Sequence, residues 1–450
     1  MLESNVIPKE EPDIRVGIVL PEDRFRIFQF EVPKSSTYTL ENSAGNKVAR
    51  FTNKKIEIQL RDNQIIALVD NREIGAARTF TIFPDGDAPI APKSGLLLRN
   101  VIAGRVFHWK KEIDVFVPGA LTIQAHEGAL IVTNTLRFEE YVMCVATSEM
   151  SAACPEALIQ AQTVAARSWM LANVEQKHRA LGMDVCNDDC CQRYQGSTFL
   201  TQHAIDGVLK TRGEVLIFDG KICDARYSKS CGGMMESFNA VWGGEDAPYL
   251  QVKPDIEPAK AAAARTDLSD EQNFRAWLAN PPEAFCSPKV VPENNLIKYL
   301  GGVDVDGEYF RWRLQITEPE VRAAVNKKTG IRAHKILNLD PIERAGSGRL
   351  TQLRIVYKDE SGLTKEHFLQ SEYAIRDALH KGFLFSSAIA IDELPASQDE
   401  DEKRFKIEGC GWGHGVGLCQ IGALGMALEG RETKEILLHY YPGAQLKKIY

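Results

Sequence analysis

The chain has 450 residues and a formal net charge of −7, with 44% hydrophobic and 26% charged residues. That length holds two or three domains or one elaborated domain. The acidic balance excludes a nucleic-acid binder built on a basic face, and no apolar run approaches the roughly eighteen residues of a membrane span.

Ten cysteines in a chain this long do not make a small disulfide scaffold. Cys186, Cys190 and Cys191 fall together while the rest are scattered, which favours one ligand cluster plus mostly buried thiols. The start, MLESNVIPKEEPDIRVGIVL, lacks a basic head followed by an apolar core of about 7–15 residues, so it does not read as a signal peptide.

Residues 1–13 are polar and proline-bearing and read as a disordered tail. From Ile14 to about Thr135, period-two segments follow one another: RVGIVL, RIFQFEV, KIEIQL, IIALVD, TFTIF, IDVFV, LTIQA and ALIVTN. Alternation bounded by Gly, Pro, Asn and Asp marks strands and turns, and this region reads as scaffold. The stretch from Leu136 to Gly196 then concentrates the chemistry. Ala157, Ala161, Val164, Ala165, Ser168, Leu171 and Ala172 recur at helical spacing behind Pro155, which predicts a helix over 155–177 with Pro155 at its first position.

Strands are expected again in GEVLIFDG, KICDARYSKSCGG and VWGGEDAPYL, and a helical excursion around FRAWLAN. Further strands are expected at RWRLQIT, RLTQLRIVY and KEHFLQ, with helices at EPEVRAAVN and SEYAIRDALH. SQDEDEK (397–403) reads as a solvated loop. The last segment holds a strand FKIEG, the run CGWGHGVGLCQ, and a helix LCQIGALGMALEG capped by Gly430. A final helix TKEILLHYY follows, with Thr433 as its cap.

Four places can carry chemistry. Glu149 lies in VMCVATSEMSAAC among apolar and small neighbours; desolvation there would raise its pKa and suit a general acid, whereas an exposed turn before the helix would make it ordinary. His178 with Cys186, Cys190 and Cys191 supplies a Cys₃His set, a common structural zinc composition. Adjacent cysteines rarely bind one metal together, so a disulfide or an iron–sulfur ligand set stays open. GCGWGHGVG fails the G-x-G-x-x-G template, which argues against a dinucleotide site; His414 within it either lines a cleft or sits on a structural turn. YSKSCGG offers hydroxyls, and Cys231 there would need a base to act as a nucleophile.

LRFEEYVMCVATSEM, PEALIQAQTVAARSWM, CNDDCCQRYQG, ARYSKSCGG, APYL and GCGWGHGVGLCQIGALGMALEG…ILLHYYPG, in this order, resemble the SpoIID/LytB family over roughly residues 100–450. GWGHGVGLCQIGA is the most specific part. The resemblance implies an α+β protein: a β-rich region at 14–99, then a catalytic domain at 100–450 with a substrate groove and an insertion around 255–400.

It also implies work on peptidoglycan glycan strands. Sporulation members are lytic transglycosylases that cut between N-acetylmuramic acid and N-acetylglucosamine and leave an anhydro-muramoyl end. Glu149 in ATSEMS matches the family's acid, with Ser151 in place of a proline. A hydrolase needs a second carboxylate about 5 or 6.5–9.5 Å away; in a transglycosylase the sugar's own 6-hydroxyl attacks, so one carboxyl serves as acid and then base.

Zinc-bearing members carry C-D-x-x-H-C-Q-x-Y, where this chain has CNDDCCQRY, with Cys190 in the histidine position and His178 upstream. A zinc there would be structural, because four protein ligands leave no open position. The resemblance further assigns Arg167 to orienting Glu149 or a substrate carbonyl, and Tyr194, Ser228, Ser230 and His414 to the groove. The other reading is a non-catalytic enhancer of a cell-wall amidase. Implied partners are the glycan itself and an amidase or a divisome- or engulfment-type protein, with no nucleic acid. Because the substrate lies outside the cytoplasm, an extracytoplasmic location is expected despite the unremarkable start.

Overall fold

The computed structural model describes residues 1–450 except 5, 106–109, 173, 262–265, 303, 305–306 and 395–402. The chain is α+β. It falls into two units. The first comprises Met1–Asp224, Lys298–Asp304 and Leu446–Tyr450, and the second comprises Ala225–Ile297 and Val305–Gln445.

The first unit begins with β1 (Asp13–Val19), β2 (Ile27–Val32), β3 (Tyr38–Asn42), β4 (Lys47–Phe51), β5 (Lys54–Arg61), β6 (Gln64–Val69) and β7 (Arg72–Ala77). It continues with β8 (Thr79–Pro84), β9 (Leu96–Ala103), β10 (Lys111–Val117), β11 (Ala120–His126) and β12 (Ala129–Arg137). These make a six-stranded sheet in the order β10-β9-β2-β5-β6-β7. With β13 (Val185–Cys186) they also make a seven-stranded sheet in the order β13-β1-β12-β11-β8-β3-β4. Alternation is visible in β2, which buries Phe28, Phe30 and Val32 and leaves Ile27 exposed. All the expected strands of this region are present, and β3, β4, β7 and β9 are additional.

β12 runs directly into α1 (Phe138–Glu149), a helix not foreseen from the sequence. Eleven of its twelve residues are buried, so it has no polar face and no amphipathic period to read. α2 (Glu156–Ala172) is the expected small-residue helix, with two corrections. Pro155 stands just outside it, where its carbonyl accepts the Leu158 and Ile159 N–H groups. The helix also stops at Ala172 rather than residue 177. Beyond it Val174 is exposed and Gln176 takes a left-handed φ of 48°, so the apolar face has ended. α3 (Gln202–Lys210) follows, capped by Thr201.

Residues 1–13, read as a tail, make defined contacts. The Leu2 N–H donates to Asp184 at 2.7 Å, and Glu11 accepts the Glu139 N–H and pairs with Arg212. At the other end of the sequence, Gln445–Lys448 lies beside Glu214–Phe218 in a three-stranded sheet. The Ile449 N–H donates to the Gly213 carbonyl at 3.0 Å.

The second unit contains two three-stranded antiparallel sheets. One is built from Arg311–Thr317, Arg404–Cys410 and Ile389–Leu394; the other from Ala333–Arg344, Leu350–Asp359 and Thr364–Leu369. With the helices Glu318–Thr329 and Glu372–Ala378 they bury a core that includes Trp312, Val325, Ile336, Leu353, Ile355, Ile375 and Ile407. VWGGEDAPYL departs from expectation, since Phe238–Trp242 is a short helix. In the final helix, Thr433–Tyr440, the cap is Glu432 and not Thr433; Glu432 and Glu435 form the reciprocal box. Gly430 ends the preceding helix in the left-handed conformation, at φ 86°. The SQDEDEK loop lies, but for Lys403, outside the described residues. Among the described residues, no helix is long and apolar enough to cross a membrane.

Candidate functional site

Glu149 is the last residue of α1 and is 7% exposed. Its Oε1 accepts the backbone N–H of Arg193 at 3.0 Å. One residue earlier, Ser148 Oγ accepts the Gln195 N–H at 3.0 Å and donates to the Cys144 carbonyl at 2.7 Å. Two successive side chains at the end of α1 thus hold alternate amides of the segment that leaves the cysteine loop, and this fixes the carboxyl's direction.

Residues 298–302 and Asp304 close over the same end of α1. Met150 bridges Leu300, and the Ser151 N–H donates to the Tyr299 carbonyl at 2.9 Å. A Cβ on Gly301 would stand 2.4 Å from the Ser148 carbonyl oxygen, so the approach requires glycine. This segment supplies Asp304. The Arg193 guanidinium pairs with both Asp304 and Asp189.

Burial pushes the Asp189 carboxyl up, with Asp188 and Glu149 adding to the effect and Arg193 opposing it. Burial works against the Arg193 charge too, but Asp189, Asp304 and Glu149 hold the guanidinium well above its ordinary range. Glu149 therefore shares one electrostatic neighbourhood with two carboxylates that Arg193 engages. Sequence reasoning missed Arg193 and Asp304; the only trace of the latter was a glycine-flanked acid in GGVDVDG.

The cysteine loop is pinned from both sides. β13 pairs in parallel with β1, Gly17 opposite Cys186. Asp188 accepts the N–H groups of Gly104 and Arg105 at 2.8 Å each, and the Arg105 side chain bonds Asp23, Asn187 and the Ile18 carbonyl. Cys186 and Cys190 sulfurs are 3.1 Å apart, and the Cys190 sulfur is 3.7 Å from His178 Nε2. The four donor atoms of His178, Cys186, Cys190 and Cys191 lie within 4.8 Å of one another, a set that suits a metal ion. None of the ten cysteines, all of them described, is joined in a disulfide. The neighbouring thiols of Cys186 and Cys191, together with His178, hold the Cys190 thiol far below its usual range.

Two assigned residues are placed elsewhere. Arg167 is fully buried; both arms of its guanidinium go to Glu139, at 3.0 and 2.7 Å, and a third N–H goes to the Glu214 carbonyl. It orients Glu139, not Glu149. Tyr194 is 1% exposed, stacks on Tyr141 and donates to Asn134 Oδ1 at 2.6 Å, so it serves packing.

In the second unit, the YSKSCGG and GWGHGVGLCQ segments come together. Tyr227–Ser228 pairs in parallel with Leu418–Cys419, and Ser230 bridges Trp412. Ser228 Oγ is buried with no hydrogen-bond partner among the described residues, while Ser230 Oγ accepts the Gly232 N–H at 3.3 Å. His414 is half-buried, edge-on to Trp242, and its Nδ1 accepts the Val416 N–H at 3.0 Å. Burial, with the charges of Arg226, Arg376 and Arg349, holds its imidazole well below the ordinary range.

Gly417 makes the pairing possible. Its φ is 71°, and a Cβ would sit 2.0 Å from the Arg226 carbonyl, which accepts the Leu418 N–H and the Tyr441 hydroxyl. Gly417→Ala is expected to lower unfolding free energy by at least about 2 kcal/mol, read from the thermal or urea transition of the second unit.

A family model described as Stage II sporulation protein matches residues 126–218, which hold α1, α2 and the cysteine loop. The Amidase enhancer of Bacillus subtilis (strain 168) is 26% identical over 307 residues, covering 67% of this chain and 39% of the enhancer. Stage II sporulation protein D of the same organism is 23% identical over 354 residues, covering 73% of this chain and 82% of that protein. These matches support SpoIID/LytB family membership. A second family model, described as a domain of unknown function, matches residues 236–417, from just after YSKSCGG through GCGWGHGVG. An uncharacterized protein of Brachyspira hyodysenteriae is 27% identical over 328 residues, covering 73% of this chain and 71% of that protein.

Proposed function

We propose that this chain acts on the bacterial cell wall and cleaves the peptidoglycan glycan strand as a lytic transglycosylase. Glu149 protonates the glycosidic oxygen of the leaving N-acetylglucosamine. The resulting carboxylate then takes the proton of the N-acetylmuramic acid 6-hydroxyl as that oxygen attacks C1, which closes the 1,6-anhydro ring and restores the acid. The observation that carries the reading is Glu149's placement: a buried carboxyl aimed by the Arg193 amide, while Asp189 and Asp304 are both engaged by the Arg193 guanidinium. A chemistry that asks for one carboxyl suits that arrangement better than one that asks for a free pair. Ser228 and His414 are proposed to contact glycan, whereas Ser230, fully buried, braces its turn through the Gly232 N–H.

The likeness to an amidase enhancer favours a second reading, a non-catalytic glycan binder that stimulates a cell-wall amidase. Digestion of purified glycan strands, with products identified by mass spectrometry, separates the two. Anhydro-muramoyl ends support the transglycosylase. Reducing ends indicate hydrolysis with a water-activating partner such as Asp189. Glycan retained without any product, together with stimulation of an added amidase, supports the enhancer.

His178, Cys186, Cys190 and Cys191 are proposed to hold a structural zinc that keeps the loop, and with it Arg193, in register with α1. His178→Ala is expected to release one equivalent of zinc, measured by plasma mass spectrometry, and to lower glycan cleavage without abolishing it. The proposed location is extracytoplasmic, with a cell-wall amidase or a divisome- or engulfment-type protein as partner.

A further inference from the structure

Three thiols and a carboxylate that the proposed reaction does not use meet inside the second unit. Cys231 follows the Ser230 bridge, and Asp255 follows the short strand Lys253–Pro254. Cys286 lies in the turn closed by Ser287 N–H to the Ala284 carbonyl, and Cys419 caps the helix Gln420–Leu428. Each comes from a different segment, and none is more than 2% exposed. Their donor atoms all lie within 4.8 Å of one another.

The separations fit a tetrahedral ion. Arms of about 2.3 Å to sulfur and about 2.0 Å to oxygen give edges of about 3.8 Å between sulfurs and about 3.5 Å from sulfur to oxygen. Cys231 and Cys286 sulfurs are 3.7 Å apart, and the Cys231 sulfur is 3.5 Å from Asp255 Oδ2. A disulfide would need about 2.05 Å.

The surroundings orient these donors as a metal's outer ligands do. Asp255 Oδ1 accepts the Tyr440 hydroxyl at 2.8 Å and lies 3.3 Å from His439 Nε2, which leaves Oδ2 directed at the thiols. The Cys419 sulfur accepts the Cys231 and Gly422 N–H groups at 3.2 and 3.3 Å, at the N-terminal end of its helix, where negative charge is favoured. Asp255 is fully buried, and a carboxyl group sealed from water beside three thiols is a setting that favours a bound cation.

We propose that Cys231, Cys286, Cys419 and Asp255 form a second zinc site, structural and closed, that fastens the YSKSCGG turn to the start of the GLCQ helix. Four protein ligands leave no position for water or substrate, so the ion's contribution is to folding.

The test uses the full chain carrying His178→Ala and Cys190→Ser, which dismantles the first cluster at its less buried members. That protein is expected to keep about one equivalent of zinc, and cobalt in its place is expected to show the thiolate charge-transfer and visible bands of a tetrahedral site. Adding Cys286→Ser removes the metal. X-ray absorption on the two-substitution protein provides a reading independent of any third variant: three sulfurs near about 2.3 Å and one oxygen near about 2.0 Å. Folded protein without metal, a Cys231–Cys286 disulfide found by mass spectrometry, iron in place of zinc, or a coordination shell without sulfur would each overturn the proposal. None of these outcomes bears on whether Glu149 cleaves glycan.

Discussion

Glu149→Gln is expected to reduce formation of anhydro-muramoyl ends by roughly 10²–10⁴-fold, the range for losing a positioned acid or base. The upper end is expected because one carboxyl serves both proton transfers. The amide is nearly the same size and can still accept the Arg193 N–H, so glycan binding and stability should be retained. Initial rates of product release by mass spectrometry, alongside glycan pull-down, check both halves. Asp189→Asn gives the contrast. It is expected to leave the product anhydro; complete loss of cleavage with either substitution would point instead to a carboxylate pair and to water as nucleophile.

Arg167→Met is expected to cost about 3–5 kcal/mol of stability, because it leaves the Glu139 carboxylate buried without its cation. Glu139 is 3% exposed and gathers, besides Arg167, the Gly213 N–H at 3.2 Å and the Tyr450 hydroxyl at 2.7 Å. The Arg167→Met/Glu139→Gln double substitution removes both charges together and is expected to recover most of the loss. Urea unfolding of the three proteins measures this, and the non-additivity of the cycle is the quantity of interest. Equal losses in the single and double variants would mean that Arg167 acts through packing alone. An arginine with a substrate role would instead change cleavage without moving the unfolding midpoint.

How much the sequence revealed depended on how local each signal was. Strands with one buried face announced themselves by alternation, as in β5, where Ile56, Ile58 and Leu60 are buried between more exposed neighbours. α1 did not, because burial on every side removes the contrast that periodicity measures. The His178–Cys186–Cys190–Cys191 cluster was legible because three of its four donors fall within six residues. The second was not, since Cys231 and Cys419 are 188 positions apart and no spacing rule reaches that far.

Glu149 was singled out by its apolar surroundings and its motif, yet Arg193 beside it, and Asp304 paired with Arg193, depend on chain pairings that only folding creates. The Arg167 motif was legible and its partner was not. A buried arginine in a helix asks for an acid, and the choice of Glu139 over Glu149 is made by which turn of α1 faces α2.

The return of residues 446–450 to the first unit has a consequence for synthesis. A ribosome delivers the whole of the second unit before it delivers Ile449 and Tyr450, which bond Gly213 and Glu139. During translation the Glu139–Arg167 pair therefore waits, short of one donor, until Tyr450 has been made. The first unit to be made is in this sense finished only after the second.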